Sequence, residues 1–278
     1  MTRRFIWVIL ALGFAAAGAA RGQEPSPADS AVWQKVHASV FGNGPLEAAG
    51  GVITLDTPKR AEDAAIVPLA IRSQFQQTKE RYIEKIWLII DNNPSPIAAV
   101  FHFTPESGRA DIETRVRIEE YTYVRAVALT NDGKMYMAAN YVKASGGCSA
   151  PAGKDAVAAK ANLGKMRFRV GDPVEAGRPV LAQLMISHPN DSGLAMDQLT
   201  RTYATPHFVR RVEVRYGGKL VMSADVDFSI SENPNFRFYF VPQGEGELDA
   251  KVVDNQDLEF TASMKLDSAR MGAVSTPR

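Results

Sequence analysis

Ala144-Ser145-Gly146-Gly147-Cys148-Ser149-Ala150-Pro151-Ala152-Gly153 contains no bulky side chain at all. Such a stretch cannot bury enough apolar area to offset the entropy lost on ordering, so it reads as a slack linker. It divides the chain into two blocks, each built of short runs of β-forming residues between turn signals.

The upstream block has candidate strands at 52–55, 65–71, 83–91, 97–104, 112–118, 121–130 and 134–143. Asn92-Asn93-Pro94-Ser95-Pro96 and Asn131-Asp132-Gly133 supply turns, the second a good hairpin signal because Asp-Gly tolerates positive φ. The downstream block repeats the pattern at 165–170, 180–187, 207–216, 219–228, 236–242, 246–254 and 258–266, with turns at Gly217-Gly218 and Asp254-Asn255-Gln256. About seven short strands per hundred residues is the signature of an immunoglobulin-like sandwich. The predicted fold is therefore all-β, two immunoglobulin-like β-sandwich domains in tandem, packed on each other through apolar sheet faces. A short helix is expected over 29–41, capped by Asp29 or Ser30, with Trp33, Val36 and Val40 on one face. The alanine-rich 155–163 could add a helical turn or two.

The first residues have a different character. Arg3 and Arg4 precede an apolar run, 5–20, that closes on Ala17-Gly18-Ala19-Ala20. A basic start, a short apolar stretch and a small-residue exit predict an export signal and hence a periplasmic protein. The paired arginines fit either the Sec or the twin-arginine route. The expected organisation is a leader at 1–22, a first sandwich with its helix at 23–143, an arm and linker at 144–163, a second sandwich at 164–267, and a disordered tail at 268–278. Across the 278 residues, 32 basic and 31 acidic side chains nearly cancel. That balance gives no electrostatic reason to expect nucleic acid or a membrane surface as a partner.

Chemistry concentrates on the single cysteine, Cys148, which has no disulfide partner in its own chain. A thiol reacts as the thiolate and only where another molecule can reach it. Gly146 and Gly147 are expected to give the arm its flexibility, so that the thiol could enter a pocket on another protein. Two other readings stay open: a buried cysteine acting as a small hydrophobe, and an intermolecular disulfide making a homodimer.

Gly146-Gly147-Cys148 after a β-domain resembles the cysteine arm of SoxY, the periplasmic carrier subunit of bacterial sulfur oxidation. The stretches 61–68 (AEDAAIVP), 91–94 (DNNP) and 114–117 (TRVR) follow that family's order. The second block resembles SoxZ in 188–193 (HPNDSG), 206–209 (PHFV), 216–218 (YGG) and 231–234 (SENP). A chain carrying both is similar to the fused SoxYZ-like carriers associated with quinoprotein dehydrogenases. The resemblance implies a non-enzymatic carrier, with Cys148 as the covalent attachment point for sulfur cargo and no cofactor or metal. It implies partners among sulfur-oxidation enzymes, or a quinoprotein dehydrogenase and its cytochrome. In that family the cysteine ends a free carboxyl-terminal arm. Here Ser149-Ala150-Pro151 follow, so the arm is tethered at both ends and would enter a pocket as a hairpin. A different class of function also fits, an assembly module for the dehydrogenase in which the cysteine is incidental.

No catalytic constellation stands out. Thiol catalysis would need a base beside Cys148, and His188-Pro189 and Pro206-His207 read as turns at strand ends. His37 has no partner at metal-ligand spacing. Trp33, Trp87, Phe236, Phe238, Tyr239 and Phe240 read as core and interface, and Met135 with Met137 as sheet packing.

Overall fold

The computed structural model describes residues 26, 28, 30–42, 44–150, 161–196 and 200–267. The expected leader, most of the alanine-rich stretch and the tail from 268 lie outside them.

The helix α1 spans Ala31–Val36 and begins where the Ser30 hydroxyl accepts the Trp33 N–H at 3.1 Å. Such a cap satisfies one of the amides that a helix start leaves free. A π-helical turn, His37–Phe41, carries it on to Gly42, whose φ of 64° stops it. Trp33 lands on the outer face of a sheet against Ile89 and Val127.

The first half holds β1 (Glu47–Ala48), β2 (Ile53–Asp56), β3 (Val67–Ser73), β4 (Ile83–Ile90), β5 (Ile97–Phe103), β6 (Ile112–Val116), β7 (Thr122–Thr130) and β8 (Met135–Val142). The second holds β9 (Met166–Val170), β10 (Val180–Ile186), β11 (Val209–Tyr216), β12 (Lys219–Val226), β13 (Asn235–Phe240), β14 (Gly246–Asp254) and β15 (Glu259–Leu266). The alternation that announces these strands is the alternation that buries them. In β13, Phe236, Phe238 and Phe240 are fully buried while their neighbours are half-exposed. In β4 the alternation fails at Ile89, which faces outward but is covered by Trp33. The two-residue β1, too short to alternate, pairs parallel to β8 and has no sequence signal.

The all-β expectation with two immunoglobulin-like halves holds. The way the halves join does not follow the expectation of face-to-face packing. They join edge to edge, and both sheets run straight through. One sheet has nine strands in the order β1-β8-β7-β4-β5-β12-β11-β14-β15, and the other six in the order β2-β3-β6-β13-β10-β9. At one seam β5 pairs antiparallel with β12 from Ala99↔Val226 to Phe103↔Met222. At the other, β6 and β13 share the single register pair Glu113↔Arg237, extended by a bridge between Val116 and Ile230. The cause is hydrogen bonding. Free strand edges carry unpaired N–H and C=O groups that another edge can satisfy. The outer faces near the seams, by contrast, carry polar side chains such as His102 with Asp225 and Glu113 with Arg237, which offer no apolar stripe to a second sheet. One hydrophobic core spans both halves, and Phe101 meets Phe236 across the seam edge-on at 6.3 Å. Among the described residues no helix is long and apolar enough to cross a membrane.

Candidate functional site

After β8 the chain runs beside the end of β6. The Gly146 N–H donates to Glu119 O at 2.8 Å and the Gly147 N–H to Ile118 O at 2.9 Å. Any Cβ on Gly147 would stand 2.0 Å from Ala64 O and 2.7 Å from Ile118 O, so only glycine fits this approach. Gly146 has a φ of 80°, a conformation that glycine adopts without strain.

One carboxylate then fastens the cysteine. Glu119 Oε2 accepts from the backbone N–H of Cys148 at 2.8 Å and of Ser149 at 3.0 Å, and Oε1 accepts from the Ser149 hydroxyl at 2.8 Å. From the second half, the Ser192 hydroxyl donates to Cys148 O at 2.6 Å. Cys148 is 0% exposed. The expectation of a slack tether displaying its thiol is therefore corrected for residues 144–150. Gly146 and Gly147 serve close backbone approach, and the thiol is seated between the halves. Counting only apolar burial missed backbone and carboxylate hydrogen bonds as the means of ordering a segment without large side chains.

Burial pushes the Cys148 thiol up from its ordinary value of 9.0 to about 12. The negative charge of Glu119 adds to the rise, and Arg117 works against it. The seated thiol is thus protonated at neutral pH and unreactive.

The surrounding wall is polar and joins the halves. Asn93 donates to Arg117 O at 2.8 Å and to the Ser229 hydroxyl at 3.0 Å, and its Oδ1 accepts the Glu119 N–H at 2.9 Å. The Arg117 N–H donates to Ser229 O at 2.7 Å, and the Ser231 hydroxyl donates to Ala65 O at 2.8 Å. Asn190, at φ 48°, donates to Ile230 O at 2.9 Å and accepts from the Val209 N–H at 2.9 Å. Arg117 is buried and donates through Nη2 to Asn190 O at 3.1 Å. Glu119 and Ser192 escaped the sequence reading. Their roles depend on partners 29 and 44 residues away, and no local spacing announces them.

Sequence separation also hid a cluster. His188, His207 and Asp254 offer ligand atoms within 4.8 Å of one another. His207 Nε2 lies 2.7 Å from Asp254 Oδ2, and His188 Nε2 lies 3.5 Å from the same oxygen. The backbone N–H of Asn190 donates to His188 Nδ1 at 3.0 Å. In a neutral ring that leaves the proton on Nε2, with no lone pair there for a metal. Burial and then the neighbouring His207 lower the His188 pKa from 6.5 to about 4, so the ring is neutral. These residues brace the turn beneath Asn190, in line with their reading as turn residues.

Two family models match this chain in tandem. Residues 37–148 match the sulfur oxidation protein SoxY and residues 166–265 the sulphur oxidation protein SoxZ, together well over half of the chain. No curated protein matches. Among solved structures, the sulfur carrier protein SoxY from Chlorobium limicola f thiosulfatophilum is 23% identical, over 40% of this chain and 90% of its own, with a TM-score of 0.32. A superoxide reductase (neelaredoxin) from Ignicoccus hospitalis is 16% identical, over 41% and 87%, with a TM-score of 0.28. Fibronectin(III)-like modules of Clostridium thermocellum CbhA are 12% identical, over 82% and 100%, with a TM-score of 0.23. None of these superpositions is close enough to bear on the site. With a SoxY part ending at Cys148 and a SoxZ part following it, the chain belongs to the fused SoxYZ-like sulfur carriers, which are carriers and not catalysts.

Proposed function

We propose that the protein works in the periplasm and carries a sulfur intermediate covalently on Cys148, alternating between a seated state and a released state handled by partner enzymes. The observation that supports this is the fastening of Cys148. A cysteine acting only as core filler needs apolar neighbours. This one is held through its backbone by two polar side chains, the Glu119 carboxylate and the Ser192 hydroxyl, which can let go without breaking a strand ladder. Seated, the thiol is protected; released, it regains an ordinary pKa and can react. Joining a thiol to thiosulfate removes two electrons, so loading belongs to a redox partner, and a quinoprotein dehydrogenase with its cytochrome would suit that role.

Glu119→Ala should speed alkylation of Cys148 by iodoacetamide about tenfold or more, the effect of losing hydrogen bonds to a charged acceptor. The seated pKa lies above the ordinary one, so seating is fully favoured below about pH 9 and weakens as pH rises toward 12. Wild-type reactivity should therefore climb steeply above pH 9 and approach that of the variant. Protein purified from its native host should show sulfur or sulfonate adducts on Cys148 by intact mass. An unmodified thiol under every growth condition, with full function in Cys148→Ser, would sink the reading.

The complete burial of Cys148 favours one competing reading, an assembly module for the dehydrogenase in which the cysteine merely fills the seam. A pull-down in which Cys148→Ala retains the dehydrogenase, together with normal pathway flux, would decide for it.

A further inference from the structure

We propose that Arg117 is the binding residue for an anionic sulfur cargo on Cys148, receiving the terminal sulfonate of a Cys–S–S–SO3⁻ adduct in the wall of the seat. This rests on the carrier reading and goes further by naming the charge of the cargo and the side chain that meets it.

Arg117 is only 3% exposed. Its Nη2 donates to the carbonyls of Asn190 and Pro189 at 3.1 and 3.4 Å, while Nε is buried with no hydrogen-bond partner. Among the described residues no carboxylate comes within ion-pair distance of it. Glu232, Asp191 and Asp63 act on it only from farther away, as does Cys148. A buried cation without a paired anion is costly unless something else supplies the charge. Arg125 shows the ordinary solution in the same chain: equally buried, it is held by both oxygens of Asp91 at 2.8 and 2.7 Å. Arg117 stands one residue before Ile118, whose carbonyl takes the Gly147 N–H, and it grips the turn at 189–190. Two residues on, Ser192 holds the Cys148 carbonyl. The unpaired donor and the thiol thus lie near enough for each to feel the other's charge. A planar guanidinium with free N–H groups suits a sulfonate, which offers three acceptor oxygens on one negative charge. Arg115, whose Nε is likewise bare, is half-buried and turns toward Asn233 O at 3.4 Å.

The test compares two disulfide reagents on the purified full chain, with intact mass as readout. Tetrathionate reacts as a dianion: the Cys148 thiolate forms a bond to an inner sulfur, the central S–S bond breaks, and thiosulfate leaves with its electron pair. The product is Cys–S–S–SO3⁻, and the thiol proton goes to solvent. Dithiodipyridine reacts by the same exchange but is neutral. Both adducts can be reduced only after the same release of the loop, so the ratio of their lifetimes isolates the charge. Arg117→Met should lower the tetrathionate-to-dithiodipyridine ratio of adduct lifetimes toward a neutral thiol reductant about tenfold or more. Arg117→Lys, which keeps the charge, should retain most of the ratio. Arg178→Met, which removes an exposed charge elsewhere, should leave it unchanged. All chains are also measured with Glu119→Ala, so that slow release masks nothing, and Arg117→Gln, which also removes the charge, serves if Arg117→Met does not fold. A ratio indifferent to Arg117, or shifted equally by Arg178→Met, overturns this assignment while leaving the carrier reading intact. If Cys148 takes neither reagent even with Glu119→Ala, both fall together.

Discussion

The two seams that join the halves differ in kind. Where β5 meets β12, the register pairs run in unbroken succession over a buried core, with Phe101 against Phe236. Where β6 meets β13, the one register pair, Glu113 with Arg237, is also a half-exposed ion pair at 2.9 Å. Past that point the ladder narrows to the bridge between Val116 and Ile230, and the Asn93 and Ser231 side chains take further backbone carbonyls. Cys148 sits at this second, thinner seam. The first seam makes the molecule one body. The second leaves polar groups that hold a short segment. On the proposed function, stability and exchange belong to opposite sheets.

That contrast can be broken at several points. The largest effect should come from Phe101→Ala, which opens a cavity in the thick seam and should cost about 3–5 kcal/mol in urea unfolding. The transition should stay single for both halves, and two separate transitions would refute the one-body picture. Next is Gly147→Ala, whose added carbon collides with Ala64 O and should cost about 1–3 kcal/mol. It should also raise the alkylation rate of Cys148 about tenfold or more. Gly133→Ala is the comparator: its Cβ would meet nothing within 4 Å, so its positive φ of 83° costs stability without touching Cys148 reactivity. Smallest is Arg237→Ala, which removes a surface ion pair of the thin seam and should change stability by no more than about 1 kcal/mol. A loss as large as that from Phe101→Ala would erase the distinction between the seams.

Most of the fold was legible because burial follows sequence period. Phe236, Phe238 and Phe240 alternate in the chain and point inward together in the sheet. The joining of edges was not legible, since a strand that pairs with a neighbouring half carries the same alternation as any other. Gly147 and Gly133 show why the cysteine segment was misread. Both are glycines in turn-like sequence, yet one tolerates an open bend and the other lets two backbones touch. Composition cannot tell these apart. The stretches that suggested the family were more informative than their positions implied. Residues from 61–68, 91–94, 114–117, 188–193, 206–209 and 231–234 converge around the cysteine seat. Glu119 stayed invisible, one acid among 31, because only the fold brings it to Cys148.

Sheets that run unbroken from one half to the other also limit what can move. A carrier built of two hinged lobes could offer its load by opening like jaws. With strands hydrogen-bonded across both boundaries, that gesture would tear a ladder in each layer. On the proposed function, delivery would then fall to a few residues peeling from a rigid block, and a visiting enzyme would meet the same continuous sheets before and after unloading.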